Sequence, residues 1–529
     1  MTLRVDWRAS ASMIGTVLKY LALALVIPVV VAIRYGESTL PFLVTAAVAV
    51  AIGLALERLE TDPDIEVREG FLVVAITWLA VSLVGAIPYL IAGWGTVSTL
   101  ANPINALFES MSGFTTTGAT VMGEISTEQH SHALLMWRQE SQWLGGMGIV
   151  VLAVAILPKL SVGGAQLMDA EAPGPGIEKL TPRIAETARA LWKAYAGITI
   201  LEMLLLYGLH LAGMAPEMTL FNAVAHGFTT MATGGFSPEA RSIEAFAAVV
   251  QWAIIPFMMA AGTNFALFWH VLNGEYREPF GDPEFRFYVG LLGALSAIGA
   301  GLLFVDGGLA SATTAAAATH YAGVGSDVIA HTFPIAGDVE AALRHATFQV
   351  VSIVTTTGYA SMDFNAWSGP AQYVIVIAMF VGGSAGSTGG AIKIVRWLII
   401  AKSIRRELFT TVHPEAVRPI RLAGRPLDDR AIRGIYVFTL LYFVLFLLGT
   451  LVLAVDAAFG GTELSTLEAM TACAATLGNI GPGLAGVGPM NHYLGFDPAS
   501  KLTMIGLMWI GRLEILPVLV LLSRSYWRS

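Results

Sequence analysis

Long apolar stretches recur from one end of the chain to the other. They predict membrane helices over 12–33, 40–56, 71–93, 133–157, 188–212, 246–272, 286–305, 371–400, 431–456 and 502–523. A helix of ~20 residues crosses ~30 Å of hydrocarbon, and most of these runs reach that length. The 40–56 run is short. The 371–400 run is long but interrupted by Gly382, Gly383, Gly386, Gly389 and Gly390. Between the long runs lie four segments whose apolar stretches hold about a dozen residues, too few to cross, which predicts re-entrant or interfacial helices.

Composition agrees with this pattern. Of the 529 residues, 55% are apolar and 13% charged, against about 25% charged in ordinary soluble domains. A soluble enzyme, a disordered regulator and a collagen-like chain are excluded. The net charge of −8 and the lack of a long basic run give no sign of nucleic-acid binding. The single cysteine, Cys473, cannot form an internal disulfide. The first apolar run is long, lacks an A-x-A site and is followed by further spans, so it reads as a membrane helix and not a cleaved signal.

Lys and Arg predict the orientation. Arg396, Lys402, Arg405, Arg406, Arg418, Arg421, Arg425, Arg430 and Arg433 crowd one connection, and Lys159, Lys179 and Arg183 another. Arg4, Arg8, Arg524 and Arg528 mark the two ends. Residues 94–132 and 457–500 contain no Lys or Arg. The basic side, with both termini, is expected to be cytoplasmic. The polar segment 158–186 reads as a cytoplasmic linker, and 306–340, with the low-complexity run Ala310–Ala318, as an outer loop.

The four short segments resemble one another. They read Phe108-Glu-Ser-Met-Ser-Gly-Phe-Thr-Thr-Thr-Gly118, Phe221-Asn-Ala-Val-Ala-His-Gly-Phe-Thr-Thr-Met-Ala-Thr-Gly-Gly235, Phe348-Gln-Val-Val-Ser-Ile-Val-Thr-Thr-Thr-Gly358 and Leu467-Glu-Ala-Met-Thr-Ala-Cys-Ala-Ala-Thr-Leu-Gly-Asn-Ile-Gly481. Counted from its leading residue, the glycine falls one helical turn later in the second and fourth. Asn102-Pro103, Pro216, and Ser465 with Glu468 are start signals for the helices. One Thr-Thr-Gly in an apolar protein is a turn. Four, each between paired helices, predict a repeated helix, pore loop, helix unit. Four helix C-termini meeting on an axis favour a cation, and loop carbonyls can replace its hydration shell.

These segments, with Trp137-Arg-Gln-Glu140, Gln142-Trp-Leu-Gly-Gly-Met-Gly148, Pro283-Glu-Phe-Arg-Phe-Tyr288, Gly382-Gly-Ser-Ala-Gly-Ser-Thr-Gly-Gly390 and Gly511-Arg-Leu-Glu-Ile515, make the chain resemble the TrkH family of bacterial potassium-uptake proteins, within the Trk/Ktr/HKT superfamily. The likeness covers nearly the whole chain. It implies an all-α polytopic membrane protein in which two N-terminal helices (1–65) precede four quasi-equivalent repeats around one pore (66–160, 161–275, 276–410 and 411–529). It implies a symport-type role in potassium uptake, a homodimer in the lipid of the bacterial inner membrane, and a cytosolic nucleotide-binding subunit resembling TrkA, with no nucleotide bound by this chain. The matching filter positions are Thr116, Thr117 and Gly118; Thr233, Gly234 and Gly235; Thr356, Thr357 and Gly358; and Asn479, Ile480 and Gly481. Glycine in all four units is similar to the potassium-selective members. The matching arginine, Arg512, lies under the filter and faces the break of the third unit, so Arg512 with Gly382, Gly383, Gly386, Gly389 and Gly390 is expected to form the intracellular gate. The 306–340 loop is longer than the family leads one to expect.

Other charges read more plainly. An arginine at the middle of a span is expensive. For Arg512 the alternative to a gate is a structural pair with Glu514 or with backbone carbonyls. Arg138 and Glu140 read as a snorkelling cation with a nearby carboxylate, and the acids Glu109, Glu124, Glu128, Asp363, Glu463 and Glu468 as solvated. His226 reads as a packing histidine. Asn264 receives no role. The glycine-rich break lacks the context of a phosphate loop. An alternating-access carrier remains a second reading, although its usual sign is inverted repeats. A membrane enzyme would need a motif such as HExxH or GxSxG, which is not found. The residues leave open whether protons accompany the ion.

Overall fold

The computed structural model describes residues 5–60, 67–155, 184–306 and 335–527. The expected linker at 158–186 and the centre of the 306–340 loop lie outside them.

The chain is a bundle of helices. The N-terminal pair comprises α1 (Trp7–Ala24) continuing into α2 (Val26–Tyr35), and α3 (Leu40–Glu57). They pack closely because glycines face each other: a β-carbon added at Gly15 would lie 2.6 Å from the Gly53 carbonyl oxygen. Lys19 and Glu57 close the end of this hairpin with a 2.6 Å ion pair. Then follow α4 (Val67–Gly85), α5 (Ile87–Gly93), α6 (Pro103–Phe114), α7 (His132–Ala155), α8 (Ile184–Leu211), α9 (Leu220–Met231), α10 (Ala248–Ala261), α11 (Phe265–Leu272), α12 (Glu278–Gly281) and α13 (Pro283–Asp306). The second half holds α14 (Val339–Val354), α15 (Gly369–Met379), α16 (Ile394–Val412), α17 (Asp429–Gly460), α18 (Thr466–Leu477), α19 (Pro498–Arg512), α20 (Leu516–Leu522) and α21 (Arg524–Trp527).

Among the described residues, six helical segments are long and apolar enough to cross a membrane, and eight if two bent pairs each count as one span. The bends are 99° between α10 and α11 and 116° between α19 and α20. Both read as continuous apolar runs, because the few polar residues at the bends, Thr263, Asn264 and Glu514, are outweighed by the apolar residues on either side. The remaining two expected crossings are α7, whose N-terminal half carries buried Arg138, Gln139, Glu140 and Gln142, and the interrupted pair α15 and α16. Irregular backbone at that depth is tolerable only inside protein, and residues 381–385 of the break are buried. Among the described residues one sheet is present. A two-stranded hairpin, β1 (Arg421–Leu422) and β2 (Arg425–Pro426), turns the basic connection through Ala423 and Gly424, both at positive φ.

The short helices α6, α9, α14 and α18 begin at side-chain caps. Asn102 accepts from Ile104 and Asn105, Thr219 from Asn222, Asp338 from Ala341 and Ser465 from Glu468. Each satisfies donors that a helix start leaves open. Pro216 is not the start of α9; the cap is Thr219. The expected extra turn in the second and fourth segments is also not found. α6, α9 and α18 have 12 residues each and α14 has 16. The offset arose because Phe221 and Leu467 sit one turn nearer the helix start than Phe108 does. They are not its counterparts.

Candidate functional site

Counted from their C-termini, the four short helices are alike. They end at Phe114, Met231, Val354 and Leu477, and two positions on stands a non-glycine residue in the left-handed region: Thr116 (φ 52°), Thr233 (53°), Thr356 (59°) and Asn479 (53°). The next amide then folds back onto the helix. Thr117 N donates to Ser112 O (2.8 Å), Gly234 N to Thr229 O (2.9 Å), Thr357 N to Ser352 O (2.8 Å) and Ile480 N to Ala475 O (2.8 Å). This six-to-one closure is a Schellman cap. Glycine usually takes the left-handed position, and a β-branched residue there costs about 1–3 kcal/mol.

At three of the four positions the side chain makes a hydrogen bond, whereas Thr116 Oγ1 has none. Thr233 Oγ1 donates to Ala232 O, and Thr356 Oγ1 accepts from Gly390 N at 2.7 Å. Asn479 Nδ2 donates to Thr117 Oγ1 and to Met508 O, both at 2.9 Å. The hydroxyls of Thr115 and Thr117 lie 2.7 Å apart, and those of Thr355 and Thr357 2.8 Å.

One residue further on come Gly118, Gly235, Gly358 and Gly481, with φ of 82°, 75°, 79° and 101°. A β-carbon added at Gly118 would lie 2.2 Å from Gly234 O, at Gly235 2.0 Å from Thr357 O, at Gly358 2.1 Å from Ile480 O, and at Gly481 2.8 Å from Thr117 O. Each glycine therefore abuts the carbonyl of the residue just before the next loop's glycine, and the fourth loop returns to the first. The cycle closes. No side chain fits at these positions, because conformation and contact both forbid it. The four glycines also line one cavity of about 210 Å³, together with Arg138 and Tyr493. Tyr493 Oη donates to Gly481 O at 2.7 Å.

The ring offers backbone carbonyls and threonine hydroxyls, and the four short helices turn their negative C-terminal ends towards it. Among the described residues no group of three or more His, Cys, Asp or Glu could hold a metal ion. The donors gathered here are carbonyl and hydroxyl oxygens.

The loops are braced from behind. Gln142 Nε2 donates to Gly234 O (2.6 Å), and Gln142 Oε1 accepts from Phe236 N (3.1 Å). Arg138 does not snorkel. It is buried, with Nε 2.6 Å from Glu109 Oε1, Nη1 donating to Ser237 O at 3.0 Å, and its guanidinium 3.5 Å from the Phe236 ring centroid. Its carboxylate is Glu109, one helix away, and not Glu140. Glu109 in turn is not solvated: it is fully buried and accepts from Thr120 Oγ1 and Val121 N. The pair ties loop one to loop two. His226 has both ring nitrogens engaged, with Asn222 O at 2.7 Å and Ser237 Oγ at 3.0 Å.

Beneath the ring lies the glycine-rich connection between α15 and α16. It reaches the ends of three short helices. Ala391 N donates to Gly478 O (2.9 Å), Gly390 N to Thr356 Oγ1 (2.7 Å), and Thr388 Oγ1 to Met231 O (3.2 Å). A β-carbon at Gly390 would stand 2.3 Å from Gly478 O, and one at Gly382 2.1 Å from Gly390 O. Gly383 backs onto Gly262, Gly389 onto Thr355 O, and Gly386 (φ 69°) onto Asn264, whose Oδ1 caps α11.

Arg512 meets this connection. Its Nη1 donates to Thr388 O at 2.8 Å and its Nη2 to Gly145 O at 3.3 Å. Its partners are backbone carbonyls, not Glu514. Glu514 pairs instead with Arg396 at 2.6 Å, whose guanidinium lies 3.6 Å from the Phe438 ring centroid. Lys393 Nζ donates to Gly389 O at 2.5 Å. Glu514 (φ 56°) and Ile515 (φ 64°) form the break between α19 and α20.

The sequence model of TrkH, described as a cation transport protein, matches residues 41–529. The chain belongs to the TrkH family. It is 35% identical to the Trk system potassium uptake protein TrkH of Halomonas elongata, with all of both chains covered. It is 34% identical to the protein of the same name from Escherichia coli K12, over 99% of this chain and 100% of that one. The crystal structure of the potassium transporter TrkH from Vibrio parahaemolyticus superposes with a TM-score of 0.82 at 32% identity, over 99% of this chain and 100% of that one. This TrkH-family chain is a multi-pass membrane protein, and its family is one of cation transporters rather than enzymes.

Proposed function

We propose that the chain carries potassium into the bacterial cytoplasm through a pore whose filter is the ring of four loops. The observation that carries this reading is the closed cycle of Gly118, Gly235, Gly358 and Gly481, each pressed against the next loop's carbonyl. Carbonyls gathered around one axis can replace the hydration shell of an ion. The printed names of the relatives, which are potassium uptake proteins, support the identity of the ion.

In this reading the filter is Thr116–Gly118, Thr233–Gly235, Thr356–Gly358 and Asn479–Gly481, each serving one of four repeats. Gly382–Gly390 and Arg512 are the gate below it, and the connection is held by hydrogen bonds to Met231 O, Thr356 Oγ1 and Gly478 O at three helix ends. Both termini and the basic hairpin connection face the cytoplasm. The protein works as a homodimer, with a cytosolic nucleotide-binding subunit resembling TrkA acting on that face. The chain itself binds no nucleotide.

The test is uptake into proteoliposomes holding this chain, alone and with the nucleotide-binding subunit, comparing potassium, rubidium, sodium and lithium. Potassium and rubidium are expected to enter well above sodium and lithium. Equal passage of all four overturns the filter assignment.

A further inference from the structure

The four loops meet one another unevenly. At three junctions a β-carbon added to the ring glycine would stand 2.0 to 2.2 Å from the neighbouring carbonyl, whereas from Gly481 to Thr117 O the distance is 2.8 Å. That looser junction is crossed by a side chain. Asn479 Nδ2 donates from loop four to Thr117 Oγ1 of loop one at 2.9 Å. Thr115 Oγ1 donates to Met111 O at 2.6 Å. The Thr117 hydroxyl, 2.7 Å from Thr115 Oγ1, therefore donates to it and accepts from Asn479. A directed chain of hydrogen bonds runs from the Asn479 amide through two hydroxyls into the end of α6. The side chains at the matching positions go elsewhere: Thr233 Oγ1 turns back to Ala232 O, and Thr356 Oγ1 accepts from Gly390 N.

The same amide group reaches α19. Asn479 Nδ2 also donates to Met508 O at 2.9 Å. Met508 precedes Arg512 by about one helical turn. α19 comes so close here that a β-carbon at Gly511 would lie 1.9 Å from Leu477 O and 3.2 Å from Asn479 Oδ1. Asn479 is fully buried, and Oδ1 has no hydrogen-bond partner, so the side chain is held through its amide donors.

α19 is fastened at both ends. At the outer end Ser500 N and Oγ donate to Asp456 Oδ2 at 2.9 and 2.5 Å, and Lys501 Nζ donates to Asn105 Oδ1 at 3.0 Å. At the inner end Arg512 holds Thr388 O and Gly145 O. Between these anchors, Asn479 is the side chain that carries the position of α19 to loop one.

We propose that Asn479 is a positioning residue that links the gate to the selectivity of the ring, by holding Thr117 in register with α19. The proposal rests on the ring being the filter and on Arg512 being part of the gate. With Arg512 in place, α19 is a rigid backing for Thr117, whose carbonyl closes the cycle against Gly481. When Arg512 lets go, the shift of α19 passes through Asn479 to that carbonyl, and selectivity relaxes.

The experiment is potassium and sodium uptake into proteoliposomes by the full chain, with and without its nucleotide-binding subunit, for the native protein, Asn479→Gly, Arg512→Ala and the double variant. Glycine removes both bonds and suits the φ of 53° at this position. Asn479→Gly and Arg512→Ala are each expected to lower the potassium-to-sodium ratio by about threefold or more, because selectivity depends on how the carbonyls are held. In the double variant the ratio equals that of Asn479→Gly, since the tie that transmits the shift is already gone. Thr117→Val removes the hydroxyl that Asn479 holds. It is expected to lower the ratio likewise and to make it insensitive to Arg512→Ala, and it carries the test if Asn479→Gly does not fold. A native ratio in Asn479→Gly overturns the proposal. So does a double variant whose loss is the product of the two single losses, which marks a merely structural residue. Arg512→Ala that raises flux at a native ratio overturns the link alone; native flux and ratio remove the gate reading and the link with it. Gly358→Ala is the control for the ring. If it transports like the native chain, the filter reading itself fails; if it is inactive while Asn479→Gly is native-like, only the role of Asn479 does.

Discussion

Arg512 reaches the carbonyl of Thr388 at 2.8 Å, and so joins the last membrane helix to the glycine-rich connection of the third unit. The two residues are far apart in sequence, yet the contact lies directly below three helix ends. Its second bond, to Gly145 O, fastens the same arginine to α7. Charge-assisted hydrogen bonds of this kind contribute about 1.5–3 kcal/mol each.

Removing Arg512 should therefore release the connection. Arg512→Ala is expected to raise potassium flux in the absence of the nucleotide-binding subunit by about tenfold or more, since ~1.4 kcal/mol is a factor of ten in an equilibrium. Proteoliposome flux checks it. Unchanged flux with unchanged dependence on the subunit sinks the gate assignment.

The four ring glycines should tolerate alanine unequally. A β-carbon meets a carbonyl at 2.0 Å from Gly235, 2.1 Å from Gly358 and 2.2 Å from Gly118, but at 2.8 Å from Gly481. Alanine at the first three is expected to cut uptake at least tenfold or to abolish it. Alanine at Gly481 should be the mildest, although its φ of 101° still strains any side chain. Rubidium uptake by the four variants orders them.

Glu109 and Arg138 form a buried ion pair between α6 and α7 of the first unit, and Arg138 Nη1 reaches on to Ser237 O after the second loop. Breaking such a pair leaves an unmatched charge and costs about 3–5 kcal/mol. Glu109→Gln and Arg138→Gln should each lower the thermal midpoint of the detergent-solubilised protein, and the double variant should lose less than the two single losses together. Strict additivity in thermal unfolding would mean that the pair does not act as a unit.

Gln142 holds both the Gly234 carbonyl and the Phe236 amide. Gln142→Leu leaves those two groups without partners while keeping the bulk. The expected outcome is a loosened second loop and a lower ratio of potassium to sodium uptake, with less change in total cation flux. A ratio equal to the native one shows that the brace is dispensable.

Much of the ring was readable from the chain because its demands are local. Thr116-Thr-Gly, Thr233-Gly-Gly, Thr356-Thr-Gly and Asn479-Ile-Gly each need a left-handed residue, an extended one and a glycine in sequence, so a short motif carries them even where Thr is replaced by Asn. The helix starts at Asn102 and Ser465 are local too. What escaped was whatever depends on chains meeting in space. Arg138 has Glu140 as its sequence neighbour, but two residues along a helix point to different sides, and Glu109 on α6 takes the pairing. Glu514 likewise lies beside Arg512 in sequence and turns away at a positive φ towards Arg396. Glu202 sits in an apolar run among leucines, and only the fold shows that it is buried. The bends after α10 and α19 escaped because the few polar residues there, Thr263, Asn264 and Glu514, are outweighed by the apolar helices they join.

The central claim is that four carbonyl-lined loops hold the ion on one axis. The most direct measurement is anomalous scattering from crystals of the protein grown in rubidium. The account predicts a rubidium peak on the axis between the carbonyls of Thr117, Gly234, Thr357 and Ile480, lost when Gly358 is replaced by alanine. An ion bound elsewhere, with that axis empty, would contradict it.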